Sequence, residues 1–197
     1  MVPSSEKPAP AEGSRAEWRR RLLAEREAWA QTAAAAEAQS ALTAQLQAAL
    51  TQIEPLVLGV YWPMKGEFNP VPLAHWAQNT LSCRLALPRA TKSPRSMDFI
   101  GWDGKTPETY DEWGIPSPQG KVVLPDVLIV PCLGFTATGF RLGYGGGYYD
   151  RYLGKHPETC ALGAAWAQGL MPPEAFVTEP HDQPLVAVFT PGHTWGE

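Results

Sequence analysis

Long apolar runs are absent from this chain of 197 residues. Hydrophobic residues make up 44% of it, yet no stretch approaches the ~20 consecutive apolar residues of a membrane helix. Nothing reads as a signal peptide, so neither a membrane protein nor a secreted one is expected. Cysteine is scarce: Cys83, Cys132 and Cys160 are odd in number and far apart, with neither zinc spacing nor a disulfide framework. They fit a reducing cytoplasm and a packing role. Positive charge is in deficit, with 16 Lys and Arg against 20 Asp and Glu and a net charge of −4. That balance argues against a general nucleic-acid binder. No Ser/His/Asp or Cys/His constellation has local support, and no internal repeat is visible. Tryptophan and proline, by contrast, are plentiful at 8 and 20, and much of the middle is expected to be loop.

Residues 1–13 are rich in Pro, Ser, Ala and Glu and read as a disordered tail. Residues 14–197 suit a single α/β domain with a sizeable core. Ser14 with Glu17 forms a capping box that opens a helix, along which Trp18, Leu22 and Trp29 recur at helical spacing. A second helix is predicted from Thr32 to Leu50, with Leu42, Leu46 and Leu50 on one face, and a short one from Pro72 to Asn79. Strands are predicted at 56–62, 81–87, 97–102, 125–130, 159–166 and 185–190. Strands separated by helices point to a largely parallel sheet, whose ligands sit at the carboxyl ends of strands. The loops after Val60, Val130 and Trp166 are therefore the candidate walls of a site.

Gly139-Phe-Arg-Leu-Gly-Tyr-Gly-Gly-Gly-Tyr-Tyr-Asp-Arg151 carries the most chemistry. Gly143, Gly145, Gly146 and Gly147 leave a bare backbone whose N–H groups can approach an anion closely. The strand predicted to end at Val130 feeds this loop, and a helix opening at Tyr148 turns its N-terminus toward the same anion. The spacing matches neither a P-loop nor a dinucleotide fingerprint. Arg141 before the glycines and Tyr148, Tyr149 and Asp150 after them favour a phosphate site over a plain turn, with Asp150 a possible metal ligand. Asp182, after His181, could share a divalent cation with Asp150.

Arg15 and Arg19 lie four apart on the first helix and can face one phosphate together. Arg20, Arg21 and Arg26 crowd that helix, so on the helix alone a solvated basic face is the simpler reading. Glu67 sits in a loop beyond a strand end, where it either binds a polar heterocycle or is a surface carboxylate. Trp113 either stacks on an aromatic ligand or caps the core.

Together these residues resemble the 5-formyltetrahydrofolate cyclo-ligase (5,10-methenyltetrahydrofolate synthetase) family. The strongest part, Phe135 to Leu153, carries that family's G-x-R-x-G-x-G-x-G-Y-Y-D-x-x-L signature. Weaker matches run in order: Arg15 to Arg26, Gln39-Ser40, Tyr61 to Glu67, Leu87-Pro-Arg89, Met97, Trp113-Gly-Ile115, Gln168 and His181-Asp182. The resemblance implies a three-layer α/β/α domain of the ribose-phosphate isomerase and CoA-transferase group. It further implies a monomeric cytoplasmic enzyme acting on a reduced folate, with ATP as co-substrate and Mg²⁺.

The roles implied are as follows. Arg15, Arg19, Arg141 and the backbone from Leu142 through Gly143, Tyr144, Gly145, Gly146, Gly147 and Tyr148 to Tyr149 hold ATP, and Arg141, Tyr149 and Asp150 serve the chemistry. Asp150 and Asp182 hold Mg²⁺. Trp62, Glu67, Trp113 and Tyr148 line the folate pocket. The chain departs from the family pattern in three places. Arg15 stands for the usual lysine, Ser117 for a Glu or Gln, and Tyr144 and Gly146 for the arginine and lysine of animal members. The departures at Arg15 and Ser117 motivate an alternative, a non-catalytic folate- or nucleotide-binding paralogue. An isomerase or acyl-CoA-processing enzyme of similar fold is a third reading, and the glycine signature argues against it.

Overall fold

A computed structural model describes residues 13–196. All but the last residue of the predicted tail therefore lies outside the described residues. Helix α1 spans Arg15–Trp29 and opens on the expected capping box: the Ser14 N–H donates to Glu17 at 2.6 Å, and the Glu17 N–H donates to the Ser14 hydroxyl at 3.3 Å. Helix α2 (Ala33–Ile53) ends at Glu54 in the left-handed region. Helix α3 (Val71–Leu81) carries Pro72 in its first turn, where a missing N–H costs nothing. It outruns its predicted end because Leu81 packs on the core, and Ser82, left-handed at φ 56°, stops it.

One eight-stranded sheet organises the chain. It contains β1 (Val57–Gly59), β2 (Arg84–Lys92), β3 (Arg95–Trp102), β4 (Val122–Val123), β5 (Val127–Pro131), β8 (Cys160–Ala164), β9 (Ala187–Thr190) and β10 (His193–Trp195). Its order is β10-β9-β8-β5-β1-β2-β3-β4. The central run from β9 to β2 is parallel, and β10, β3 and β4 flank it antiparallel. β6 (Gly134–Phe135) and β7 (Arg141–Leu142) form a separate two-stranded hairpin. The predicted strand 56–62 is shortened. Its ladder stops at Gly59, and after one more bond, from the Val60 N–H to the Ala86 carbonyl, the chain leaves the sheet toward the site. The Asp126 carboxylate pins the start of β1 by accepting from the Leu56 and Val57 N–H groups at 3.0 and 2.6 Å.

Alternation along the strands builds a core on each face, as the period of two requires. Leu58, Leu85, Leu87, Ile129 and Leu162 meet Leu42, Leu46 and Leu50 of α2 and Leu73 and Ala77 of α3. The alternate residues Val57, Ala86, Leu128, Val130, Ala161 and Val188 face Tyr152 and Leu153 of α4 (Tyr148–Lys155). Helix α1 buries Trp18 and Leu22 in a third cluster with Leu133, Leu142 and Phe176. That packing lays α1 beside β7 and brings its arginines to the glycine loop.

Candidate active site

A cavity of about 500 Å³ opens at the carboxyl ends of β1 and β5. Every residue assigned to a ligand or metal from the sequence lines it. All three predicted walls are present: the segments after Val60 and after Val130, and the loop after Trp166 through its far end, His181 and Asp182. Trp166 itself donates its indole N–H to the Gly66 carbonyl at 2.7 Å and props the Glu67 loop.

The glycine loop forms one end. Contrary to the sequence reading, β5 does not feed it directly; the β6–β7 hairpin intervenes, and Arg141 and Leu142 of β7 enter the loop. Gly145 has φ +91°, a conformation that favours glycine, and a Cβ there would lie 3.2 Å from the Arg19 guanidinium carbon, which would have to give way. Gly147 occupies the N-cap of α4 with φ +63° and supplies no side-chain cap. The first N–H groups of α4 therefore have no side-chain acceptor and can take an anion. Buried Arg141 reaches Asp150 at 3.2 Å, lies 5.5 Å from the Tyr149 ring centroid, and keeps its Nε unpartnered among the described residues. Burial raises the Tyr149 phenol well above its ordinary value, so it remains a proton donor at neutral pH.

Helix α1 forms the adjoining wall. Arg15, Arg19 and Arg26 fall within one narrow stripe of the helix, and none is fully solvated. Arg20 and Arg21 are exposed, so the solvated-face reading holds for them alone. Arg19 donates from Nε to the Gly143 carbonyl at 2.8 Å. Burial, and then the neighbouring charge of Arg15, lower its pKa; both effects make an incoming anion welcome. Arg15 grips both Asp182 oxygens at 3.2 and 2.5 Å and also donates to the Val177 carbonyl at 2.7 Å. Burial pushes the Asp182 carboxyl up, but Arg15 and the Glu179 N–H outweigh it and hold it below the usual range.

Among the described residues no cluster of three or more His, Cys, Asp or Glu is arranged to hold a metal ion. Magnesium shared with a triphosphate needs only one or two carboxylates. Asp150 fits that demand: among the described residues its Oδ2 has a single protein donor, Arg141 at a long 3.5 Å. Asp182 has both oxygens engaged by Arg15 and would need that arginine to move.

The far end is aromatic around a buried carboxylate. Glu67 is not on the surface; its side chain is 3% exposed. It accepts from the Met64 N–H at 2.8 Å and from the Tyr144 hydroxyl at 2.9 Å. Burial raises its pKa, against the opposing influence of Arg26, the Met64 N–H and Tyr144. Trp113 is half exposed, so it does not cap the core. Its indole N–H donates to the Tyr148 hydroxyl at 2.6 Å, and that hydroxyl donates to the Thr91 carbonyl at 3.0 Å. Asp111 holds the Trp113 loop by accepting from the Trp113 and Ile115 N–H groups at 2.8 and 2.9 Å. Trp62 lines the cavity and meets Trp102 edge to face. Ser117 is fully buried, does not line the cavity, and leaves its hydroxyl unpartnered among the described residues.

Sequence reasoning missed Asp111 as a loop anchor and Arg26 as a buried partner of this end. The spacing of 11 residues from Arg15 to Arg26 was the available signal, since it returns to the same helix stripe. It also assigned Tyr144 to the phosphate loop alone, whereas its hydroxyl reaches Glu67.

Known proteins bear on this geometry. The chain is 21% identical to a 5,10-methenyltetrahydrofolate synthetase from Mycoplasma pneumoniae, with a TM-score of 0.75 over 90% of this chain and 99% of that one. It matches the Aquifex aeolicus 5,10-methenyltetrahydrofolate synthetase at 22% identity and TM-score 0.75, over 92% of each chain. At such identities the likeness is one of fold. A 5-formyltetrahydrofolate cyclo-ligase of Escherichia coli (strain K12) is 42% identical over 86 residues, 41% of this chain, so the matched stretch spans only 46% of that relative's length. The cyclo-ligase of Haemophilus influenzae is 31% identical over 136 residues, 65% of this chain and 72% of that protein. The sequence profile of the 5-formyltetrahydrofolate cyclo-ligase family matches residues 11–191, nearly the whole chain, and the chain belongs to that family.

Proposed function

We propose that this protein catalyses the ATP-dependent cyclisation of 5-formyltetrahydrofolate to 5,10-methenyltetrahydrofolate, releasing ADP and phosphate. The observation that carries the reading is a single cavity with two different ends. One end offers a glycine loop, an uncapped helix N-terminus and arginines; the other offers a buried carboxylate among flat rings. Its size suits a ligand-binding cleft.

The formyl oxygen attacks the γ-phosphorus of ATP and ADP departs, which makes a poor leaving group into a phosphate ester. The neighbouring folate nitrogen then attacks the formyl carbon, the C–O bond breaks with its electrons leaving on phosphate, and that nitrogen loses its proton. Such chemistry needs alignment and charge neutralisation more than a strong base. In this reading Arg141, Arg15, Arg19 and the N–H groups from Leu142 to Tyr149 hold the triphosphate. Tyr149 donates a hydrogen bond near the transferring phosphate. Asp150, joined by Asp182 if Arg15 turns to phosphate, would hold Mg²⁺, which neutralises phosphate charge when bound. Glu67 accepts from the heterocycle's N–H groups, and Trp62, Trp113 and Tyr148 stack on or bracket its ring.

We further read residues 14–197 as one cyclo-ligase-like domain of the ribose-phosphate isomerase and CoA-transferase group. By the same resemblance we read it as a cytoplasmic monomer. The second reading is a paralogue that binds without turnover. The paired charges Arg15–Asp182 and Arg141–Asp150 favour it, since they occupy groups that an active site must free for ATP.

The deciding experiment mixes protein, 5-formyltetrahydrofolate and Mg²⁺-ATP and follows near-ultraviolet absorbance of the methenyl product. ATP-dependent product is expected. Bound folate without product would establish the paralogue instead.

A further inference from the structure

Arg26 is the one arginine of the α1 stripe that does not line the cavity, and it is 3% exposed. Its Nε donates to the Lys65 carbonyl at 3.0 Å. Its Nη2 donates to the Tyr144 hydroxyl and stands 3.9 Å from the Glu67 carboxylate. Its Nη1 has no partner among the described residues. A guanidinium so buried carries a large desolvation cost, and an apolar side chain of similar size often serves stability as well or better. Packing alone therefore does not account for it.

The surrounding backbone points the same way. Lys65 and Gly66 have φ of +49° and +72°, and a Cβ at Gly66 would lie 2.8 Å from the Ala30 side chain and 3.2 Å from the Arg26 carbonyl. The last turn of α1 thus presses against the turn that presents Glu67. Tyr144 sits in the glycine loop, so the chain Arg26–Tyr144–Glu67 ties the phosphate end of the cavity to the heterocycle end.

We infer that Arg26 is a positioning residue: through the Lys65 carbonyl and the Tyr144 hydroxyl it fixes the place of the Glu67 carboxylate and favours its anion as the acceptor for a heterocycle's N–H donors. The inference rests on the proposed role of Glu67. The charged and titratable groups around that carboxylate are Arg26 and Lys65, which favour its anion, and Tyr61, Tyr144, Tyr149 and Cys132. Burial raises those phenols further and pushes the Cys132 thiol up to about 12, so none of them loses a proton in the range where a carboxyl titrates. Without Arg26 the carboxyl would rise further.

The test compares wild type with Arg26→Met, Arg26→Lys and Tyr144→Phe, measuring KM for each substrate, kcat across pH, and binding of 5-formyltetrahydrofolate by calorimetry. Arg26→Met should raise the folate KM and Kd about tenfold, the cost of one misplaced buried acceptor, with kcat and the ATP KM within about twofold. The acid limb of kcat/KM for folate should move to higher pH, Arg26→Lys should partly restore it, and Tyr144→Phe should move it the same way by less. A folded Arg26→Met with wild-type folate Kd and an unmoved limb would overturn the inference, as would equal losses for folate and ATP. If Arg26→Met does not fold, an unmoved limb in Tyr144→Phe overturns it. Absence of folate binding and turnover in wild type is a different failure and removes the proposed function itself.

Discussion

Two carboxylates on one cavity, Asp182 at the phosphate end and Glu67 at the other, are both largely buried and both have an arginine, yet their acidities move in opposite directions. Asp182 is gripped through both oxygens by Arg15 and accepts the Glu179 N–H, and the donors prevail over burial. Glu67 meets Arg26 only at 3.9 Å and through an intervening phenol, and burial prevails. Direct charge-assisted bonds keep a buried acid ionised, whereas a cation one group away only moderates desolvation. The phosphate end is accordingly a set of closed ion pairs that a ligand must open. The heterocycle end is a positioned carboxylate whose charge is balanced more finely.

The sharpest test of that division is Asp150→Ala, with Arg141→Ala beside it. Each should lower turnover about 100- to 1000-fold while leaving folate Kd near wild type, as loss of a preorganised electrostatic group does. Equal loss of folate affinity would mean that the two ends are not separable. Next comes Gly145→Val, which places a branched side chain at φ +91° against Arg19. Strain of about 1–3 kcal/mol should raise the ATP KM about five- to 100-fold; a wild-type value would make the loop a simple turn.

The glycine-loop end of the cavity was legible in the sequence because its pattern is local. Gly143 to Asp150 are contiguous, and glycine density followed by a helix start needs no distant partner to be recognised. Arg15 and Arg19 are legible as a pair by helical spacing, but whether that face meets water or the glycine loop depends on α1 packing beside β7. Arg26 and Glu67 lie 41 positions apart, and the Tyr144 that joins them is 77 beyond Glu67. No pattern along the chain announces that union.

A pH experiment sharpens the acidity contrast. The folded-state pKa of Asp182 is lowered, so its pairing stabilises the protein above the ordinary aspartate value, about 3.9, and is lost as pH falls through the lowered value. Asp182→Asn should therefore lower Tm by about 2–4 °C at pH 7, a partly exposed pair being worth about 1 kcal/mol or less, and the difference should vanish in acid. A gap that persists unchanged to low pH would show that charge is not its cause. For Glu67 the sign reverses: its raised pKa favours folding below the ordinary glutamate value and opposes it as pH rises toward the folded one. The smallest effect belongs to Trp113→Phe, which keeps a ring and removes the bond to Tyr148. One hydrogen bond of about 1 kcal/mol corresponds to a several-fold rise in folate KM; no rise would leave Trp113 outside the pocket's working surface.

The helices, the parallel strands and the glycine loop follow from the sequence itself, since capping, the periods of 3.6 and 2 and glycine density act between near neighbours. Only the tertiary structure decided that Gly59 ends β1 early and that the β6–β7 hairpin, rather than β5, delivers Arg141. It also decided that Ser117 is sealed away from the cavity and that the three arginines of one α1 stripe each reach different acceptors. Those outcomes depend on which buried surfaces meet and which charges are left to pair, and these are properties of the whole packed chain rather than of any segment.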